Sequence, residues 1–302
     1  MGYLNDLREL VGDTPMLRLN KLGLSEELRL LAKLELFNPG GSVKDRIGLS
    51  MIEAAEKSGA LRPGGAIVEA TAGNTGIGVA LAALGKGYRV IFAVPEKFSV
   101  EKVTLMKALG AQIIRTPAAA GMGGARAKAA ELLSEIEGAV SLDQFENPAN
   151  PRIHYETTGP EILRDSGGEI DYFVAGAGSG GTFSGVARYL KERIPGLKAV
   201  LADPLGSTMG GGECGSYAIE GIGNSFVPGT MDMGLVDEVV KVSDDEALAA
   251  VRLLAAKEGV IAGTSSGAAL SVALTIARRI GRGNIVTIIP DRGDRYFSKG
   301  IL

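Results

Sequence analysis

Tyr172-Phe173-Val174-Ala175-Gly176-Ala177-Gly178-Ser179-Gly180-Gly181-Thr182 is the stretch whose reading decides the fold. Its first four residues read as a short buried strand, and the pattern from Phe183 to Arg193 reads as a helix. Between them, successive small residues let several backbone amides approach one phosphate, assisted by the helix dipole and the Thr182 hydroxyl. Strand, glycine loop and helix make half of a βαβ unit, and the same grammar extends outward on both sides. Upstream, strands over 66–69, 89–94 and 111–115 alternate with helices over 77–84, 99–109 and 125–136. Downstream, strands follow over 199–202, 238–242 and 285–289. Parallel strands need crossover connections, so the expected class is α/β with mostly parallel twisted sheets covered by helices. The 302 residues suit two such domains. The turn-formers Asn147-Pro148-Ala149-Asn150-Pro151 put the boundary near the midpoint, giving domains 1–146 and 147–302, with the extreme amino-terminal segment free to pack on the other domain.

Composition removes several classes. Hydrophobic residues are 45% and charged residues 22%, as in a globular chain. Lys+Arg total 32 against 35 Asp+Glu, leaving no basic excess for a nucleic acid partner. One Cys and one His supply too few N/S ligands for a zinc site and no internal disulfide; a carboxylate-rich metal site survives that argument, but no metal is among the expected ligands. No apolar run approaches the roughly 18 residues of a membrane span, and no leader pattern opens the chain, so the expected location is the cytoplasm. Glycine stands out at 44 residues without a third-residue period, which implies many tight loops.

Two further loops share the strand-to-helix setting or lead into a helix. Asn38-Pro39-Gly40-Gly41-Ser42-Val43-Lys44 runs into an amphipathic stripe of Val43, Ile47, Met51 and Ala55, with Ser42 as the expected N-cap. Lys44 then falls in the first turn, where the helix dipole disfavours an ammonium and favours the neutral, nucleophilic amine used for Schiff bases. A solvated lysine is the alternative reading of this segment alone. Thr71-Ala72-Gly73-Asn74-Thr75-Gly76 follows a strand and offers amides and hydroxyls suited to a carboxylate, or else is a plain turn. Gly176, Gly178 and Gly181 also satisfy the dinucleotide fingerprint, with Asp203 after the next strand, so a nicotinamide-dependent dehydrogenase is a rival. That rival leaves the Lys44 and Asn74 loops idle. Gly263 to Gly267 and Glu220 to Gly223 read as further caps or turns. Structural roles are expected for His154 and Cys214.

Read together, the loops resemble the cysteine synthase and cystathionine β-synthase family of pyridoxal phosphate enzymes, the fold type II group that includes the tryptophan synthase β chain. The resemblance rests on Asn38 to Gly48, Thr71 to Gly76, Gln144 to Pro151, Thr157 to Glu161, Gly178 to Thr182 and Ser265 to Ala268, in that order along essentially the whole chain. It implies pyridoxal 5'-phosphate as cofactor, with Lys44 carrying the Schiff base and moving the substrate α-proton. Asn74 would bond the ring hydroxyl, Gly178, Ser179, Gly180, Gly181 and Thr182 the phosphate, and Ser265 the pyridine nitrogen. Thr71, Ala72, Gly73, Asn74, Thr75 and Gln144 would line the substrate carboxylate, and Gly221 would lie beside the substrate amino group. Ala72 departs from the usual serine, which removes one hydroxyl. With Pro95 to Gly110 it is similar to bacterial enzymes that join O-acetylserine to homocysteine. The implied activity is β-replacement on O-acetylserine by a sulfur nucleophile, with sulfide (cysteine synthase) as the leading acceptor and homocysteine as the alternative. Small amino-acid substrates and a homodimer are implied as partners. A partner-binding subunit without activity is the non-enzymatic rival, against which stands the retention of every expected cofactor residue.

Overall fold

Among residues 2–302, which the computed structural model describes, ten strands form two sheets, one in each of two units. The strands are β1 (Met16–Arg18), β2 (Leu28–Leu34), β3 (Ala66–Ala70), β4 (Arg89–Pro95), β5 (Gln112–Thr116), β6 (Ala139–Val140), β7 (Tyr172–Gly176), β8 (Lys198–Pro204), β9 (Glu238–Val242) and β10 (Gly283–Ile289). The helices are α1 (Lys44–Lys57), α2 (Asn74–Ala83), α3 (Val100–Ala108), α4 (Gly121–Glu135), α5 (Ala149–Ile153), α6 (Gly159–Asp165), α7 (Gly181–Lys191), α8 (Asp244–Glu258) and α9 (Thr264–Ile280), with a π-helical turn, His154–Thr158, joining α5 to α6.

The first unit comprises the segment up to Val11 and Asn38–Ala149. Its sheet has the order β5-β4-β3-β6, parallel throughout. Val68, Ile91 and Ala93 of the sheet pack on Ala125, Ala129 and Leu132 of α4, the four- and three-residue spacings of one helical face. The helix begins at Gly121, four residues before the apolar pattern predicts, and runs through the glycines at 121, 123 and 124.

The second unit comprises Gly12–Phe37 and Asn150–Leu302. Its sheet has the order β1-β2-β10-β7-β8-β9, with β1 antiparallel to β2 and the remaining pairs parallel. Leu270, Ala273, Leu274 and Ala277 of α9 join Ala247, Ala250 and Leu254 of α8 over Leu30, Val174, Val200 and Ile285. Phe183, Val186, Ala187 and Leu190 of α7 join Phe173, Leu201 and Val286 in a separate cluster. Each such buried Leu, Ile, Val or Phe contributes about 1.5–3 kcal/mol.

This division differs from the expected 1–146 and 147–302. The change after Ala149 lies inside the turn-rich stretch, but residues 12–37 belong to the second unit, whereas the extreme amino terminus groups with the first. The physical reason is strand pairing: all seven residues of β2 register with β10, Leu28 opposite Gly283 through Leu34 opposite Ile289. No helix among the described residues is long and apolar enough to cross a membrane.

Candidate active site

In the first unit, the turn before α1 is wound tightly enough to fix where Lys44 begins. Gly41 is left-handed, at φ +78, and donates its N–H to Asn38 O at 2.7 Å. Gly40 N–H donates to Asp45 Oδ2 at 2.5 Å, and a Cβ on Gly40 would lie 2.5 Å from Asp45 Oδ1. The regular helix opens at Lys44, one residue after Val43, whose backbone is already helical at φ −54 and ψ −20 and whose side chain makes no cap bond. Ser42 still serves the helix: its Oγ accepts the Lys44 N–H at 3.2 Å. Lys44 is thus the first helical residue, half-buried, followed by buried Asp45, Arg46, Ile47 and Gly48.

Two glycines bring the Asn74 turn to this lysine. A Cβ on Gly78 of α2 would collide with the carbonyl oxygen of Lys44, and one on Gly48 would collide with the carbonyl of Gly78. Backbone meets backbone there, so α1 and α2 cross with no side chain between them. The helix α2 starts at Asn74 with Gly73 as cap, three residues earlier than the sequence pattern predicts, which makes Asn74 the first helical residue. Thr71, Ala72 and Thr75 are buried, and Gly73 and Asn74 half-buried. Thr75 Oγ donates to Gln144 Oε1 at 2.7 Å. Glu69, at the end of β3, delivers Gln144 by accepting from Ser141 Oγ at 2.9 Å, from Asp143 N–H at 3.1 Å and from the Leu142 N–H. Burial pushes the Glu69 carboxyl up against the pull of those donors. Its signal in the sequence is an acidic residue inside the otherwise apolar run Ala66 to Ala70.

The second unit brings Gly178, Ser179, Gly180, Gly181, Thr182, Gly221 and Ser265 together. Gly180 is left-handed at φ +86, and Gly181 opens α7. A Cβ on Gly178 would collide with Gly221 O, one on Gly180 with Met231, and one on Gly181 with the Asn150 amide. Four hydrogen bonds brace this loop from behind. Asn224 Nδ2 donates to Gly178 O at 2.6 Å, Thr230 Oγ to Ser179 O at 2.5 Å, and Asn150 Nδ2 to Ser179 Oγ at 2.9 Å. Thr182 Oγ lies 3.1 Å from His154 Nε2. The first N–H groups of α7 have no intrahelical acceptor, so the loop is a cradle for an anion at the positive end of a helix. Gly221 is itself left-handed at φ +87, and its Cβ position lies 4.0 Å from Ser265 Oγ. Glu220 N–H donates to Thr264 Oγ at 2.9 Å and ties that turn to the start of α9.

Each unit holds donors of kinds that pyridoxal phosphate can take: a lysine amine at the head of a helix in the first, and a glycine cradle and the neutral hydroxyl of Ser265 in the second. Asn150, Asn224 and Thr230, which hold the cradle in shape, are not singled out by the sequence reading. Their only advance sign is the turn-rich motif around Asn150. The nicotinamide rival meets an obstacle in Asp203, which is 1% exposed, accepts from Lys241 Nζ at 2.6 Å and from Gly210 N–H at 3.0 Å, and is thereby used within its own unit. Cys214 is exposed and His154 fully buried. Among the described residues no group of three or more His, Cys, Asp or Glu could hold a metal ion.

Comparison with known proteins gives the relatives of the chain. The chain is 50% identical over 302 residues to the O-acetylserine dependent cystathionine beta-synthase of Bacillus subtilis (strain 168), covering 100% of this chain and 98% of the relative. It is 44% identical over 298 residues to the cysteine synthase of Staphylococcus aureus (strain Mu50 / ATCC 700699), covering 98% of this chain and 96% of the relative. A crystal structure of the O-acetylserine dependent cystathionine beta-synthase from Helicobacter pylori is 45% identical and superposes with a TM-score of 0.93 over 100% of this chain and 99% of that one. These relationships place the fold in the type II group and set the dehydrogenase reading aside. Residues 7–291 match the model of the pyridoxal-phosphate dependent enzyme family, and with glycine cradle, leading lysine and relatives all in agreement, the chain belongs to that family of enzymes.

Proposed function

We propose that the enzyme carries out β-replacement on O-acetylserine, with homocysteine as the sulfur acceptor and cystathionine and acetate as products. The observation that carries this reading is the 50% identity, across the whole chain, to a relative named for that reaction, against 44% to the cysteine synthase. Sulfide, the leading acceptor on the family resemblance alone, becomes the second reading, supported by that 44% relative. Ala72, buried where the family usually has serine, favours the same ranking.

Pyridoxal phosphate, when bound, supplies an electron sink that acidifies the substrate α-C–H. The chain's residues do the rest. Lys44 Nζ is the amine that would hold the cofactor by its aldehyde and that would take the substrate α-proton and later return it. Acetate would leave the β-carbon with the C–O bonding pair, and homocysteine, as its thiolate with the thiol proton lost to solvent, would form the C–S bond there in its place. The carboxylate is assigned to the turn of Thr71, Ala72, Gly73, Asn74 and Thr75 with Gln144. Because Thr75 spends its hydroxyl proton on Gln144 Oε1, the Gln144 amide is turned with its oxygen toward Thr75 and its NH2 away from it. Ser265, a neutral hydroxyl, cannot hold a charged pyridinium as a carboxylate would, which favours loss of acetate over transamination. A homodimer in the cytoplasm is the assembly and location that the family resemblance supports.

Purified enzyme supplied with O-acetylserine and either acceptor tests the reading. Cystathionine should form with the higher kcat/KM; faster cysteine formation would transfer the proposal to sulfide, and failure with both would remove β-replacement. Ala72→Ser, which restores one hydroxyl at the carboxylate turn, is expected to tighten O-acetylserine binding by about 0.5–1.5 kcal/mol, read as a lower Kd in a spectral titration. An unchanged Kd would take that turn out of carboxylate recognition.

A further inference from the structure

The single histidine of the chain sits behind the phosphate loop with both ring nitrogens on hydroxyls. His154 is fully buried, its Nδ1 2.9 Å from Thr158 Oγ and its Nε2 3.1 Å from Thr182 Oγ. Its position is fixed by close backbone packing rather than by chance: a Cβ on Gly185 of α7 would collide with Pro151 O, lie 2.7 Å from His154 Cβ and lie 2.8 Å from Tyr155 N. The π-helical turn His154–Thr158 puts Thr158 on the same side as the ring, and such turns recur at functional sites.

Proton placement follows from burial. Thr158 is fully buried, and its hydroxyl proton, left unbonded, would carry the full desolvation cost of an unsatisfied donor. Its hydrogen-bond partner in the structure is His154 Nδ1, so Thr158 donates and Nδ1 accepts. A neutral ring with Nδ1 as acceptor carries its hydrogen on Nε2, and Nε2–H then donates to Thr182 Oγ. Thr182, accepting from the ring, must send its own proton elsewhere. We propose that His154 is a positioning residue, held as the Nε2–H tautomer by Thr158, that turns the Thr182 hydroxyl into an obligate donor toward an anion in the glycine loop. The consequence is polarity. A hydroxyl that could equally accept from the ring or donate to it is set one way before the phosphate arrives, which spares the ordering cost at binding. The inference rests on the assignment of residues 178–182 to the cofactor phosphate.

With one histidine, ring-15N labelling gives one unambiguous pair of nitrogen signals. In the pyridoxal phosphate-loaded enzyme Nε2 should appear protonated and Nδ1 unprotonated; an Nδ1–H tautomer or a doubly protonated ring would overturn the proposal. His154→Gln, whose amide nitrogen can stand at the Nε2 position, should keep cofactor affinity within a few-fold. His154→Leu should weaken it at least about tenfold, the value of one lost hydrogen bond to a charged group, and move the 31P resonance of the bound cofactor. Should the leucine variant fail to fold, the wild-type nitrogen spectrum alone still decides. Thr182→Val separates the two layers. If it leaves affinity and the 31P resonance unchanged, the phosphate assignment fails; if it changes both while His154→Leu changes neither, only the histidine proposal fails.

Discussion

Lys44→Ala is expected to abolish the visible absorption of bound cofactor above that of the free aldehyde, and to reduce turnover by several orders of magnitude. The expectation joins sequence to chemistry. Lys44 opens α1, its carbonyl is clamped against Gly78, and its own N–H is spent on Ser42 Oγ, so the backbone from which the amine projects is fixed on both sides. An alanine there keeps the helix and the clamp, since neither uses the side chain, while removing the group assigned to both the cofactor bond and the proton. The measurement is an absorbance spectrum of purified protein together with stopped-flow mixing with O-acetylserine. A variant that retains the wild-type spectrum and rate would show that another amine does the work. One with wild-type fold by circular dichroism but neither signal is the outcome anticipated here.

The second large effect concerns stability. Lys33, on β2, is fully buried, with its Nζ 2.8 Å from Glu161 Oε2, 3.1 Å from Asp165 Oδ2 and donating to Thr14 O at 2.6 Å. Glu161 closes the motif Thr157 to Glu161 that marks the family, and in this chain it neutralises a lysine beneath the sheet. Lys33→Ala takes the lysine away from a carboxylate with 8% side-chain exposure and is expected to cost about 3–5 kcal/mol, the usual penalty for breaking a buried pair from one side. Changing both partners, Lys33→Met with Glu161→Gln, should recover most of that loss, because no uncompensated charge then remains at Glu161. Denaturant midpoints of the two variants check both statements, and equal losses would refute the buried-pair account. Acid should act in the same place. Burial pushes the Asp165 carboxyl up, but hydrogen bonds from Arg164 and Lys33 outweigh it and hold it below its ordinary value. A carboxyl held low when folded stabilises the protein above the unfolded value and loses that contribution as pH falls through the folded one. The difference between wild type and Lys33→Ala should therefore narrow as pH drops below the ordinary carboxylate range.

Much of the architecture is legible from local pattern. Strands over 89–94 and 238–242 and the helix after the glycine loop stand within two residues of where periodicity predicts them, because β-branched runs and four-residue apolar stripes are set by neighbours in the chain. The stripe of Val43, Ile47 and Met51 is buried for the same reason, and only Ala55 at its end is half-exposed. β2 was not legible in that way. Lys33 interrupts its apolar run, and a buried lysine makes sense only once Glu161 and Asp165 arrive from more than a hundred residues away. Ser42 reads as the cap, and its Oγ accepts the Lys44 N–H while Val43 after it already has helical angles, although the regular helix begins only at Lys44.

The linear order of residues by itself determined the alternation of strands and helices, the glycines that let backbone approach backbone, and the lysine at the head of an early helix. These depend on side-chain size, branching and φ/ψ freedom within a few residues. Only the tertiary structure decided that residues 12–37 complete the second sheet, that Glu69 carries Gln144 to Thr75, and that His154 stands behind Thr182. Hydrogen bonds have short reach and strict direction, so partners far apart in the chain acquire their roles only when folding brings donor and acceptor within about 3 Å.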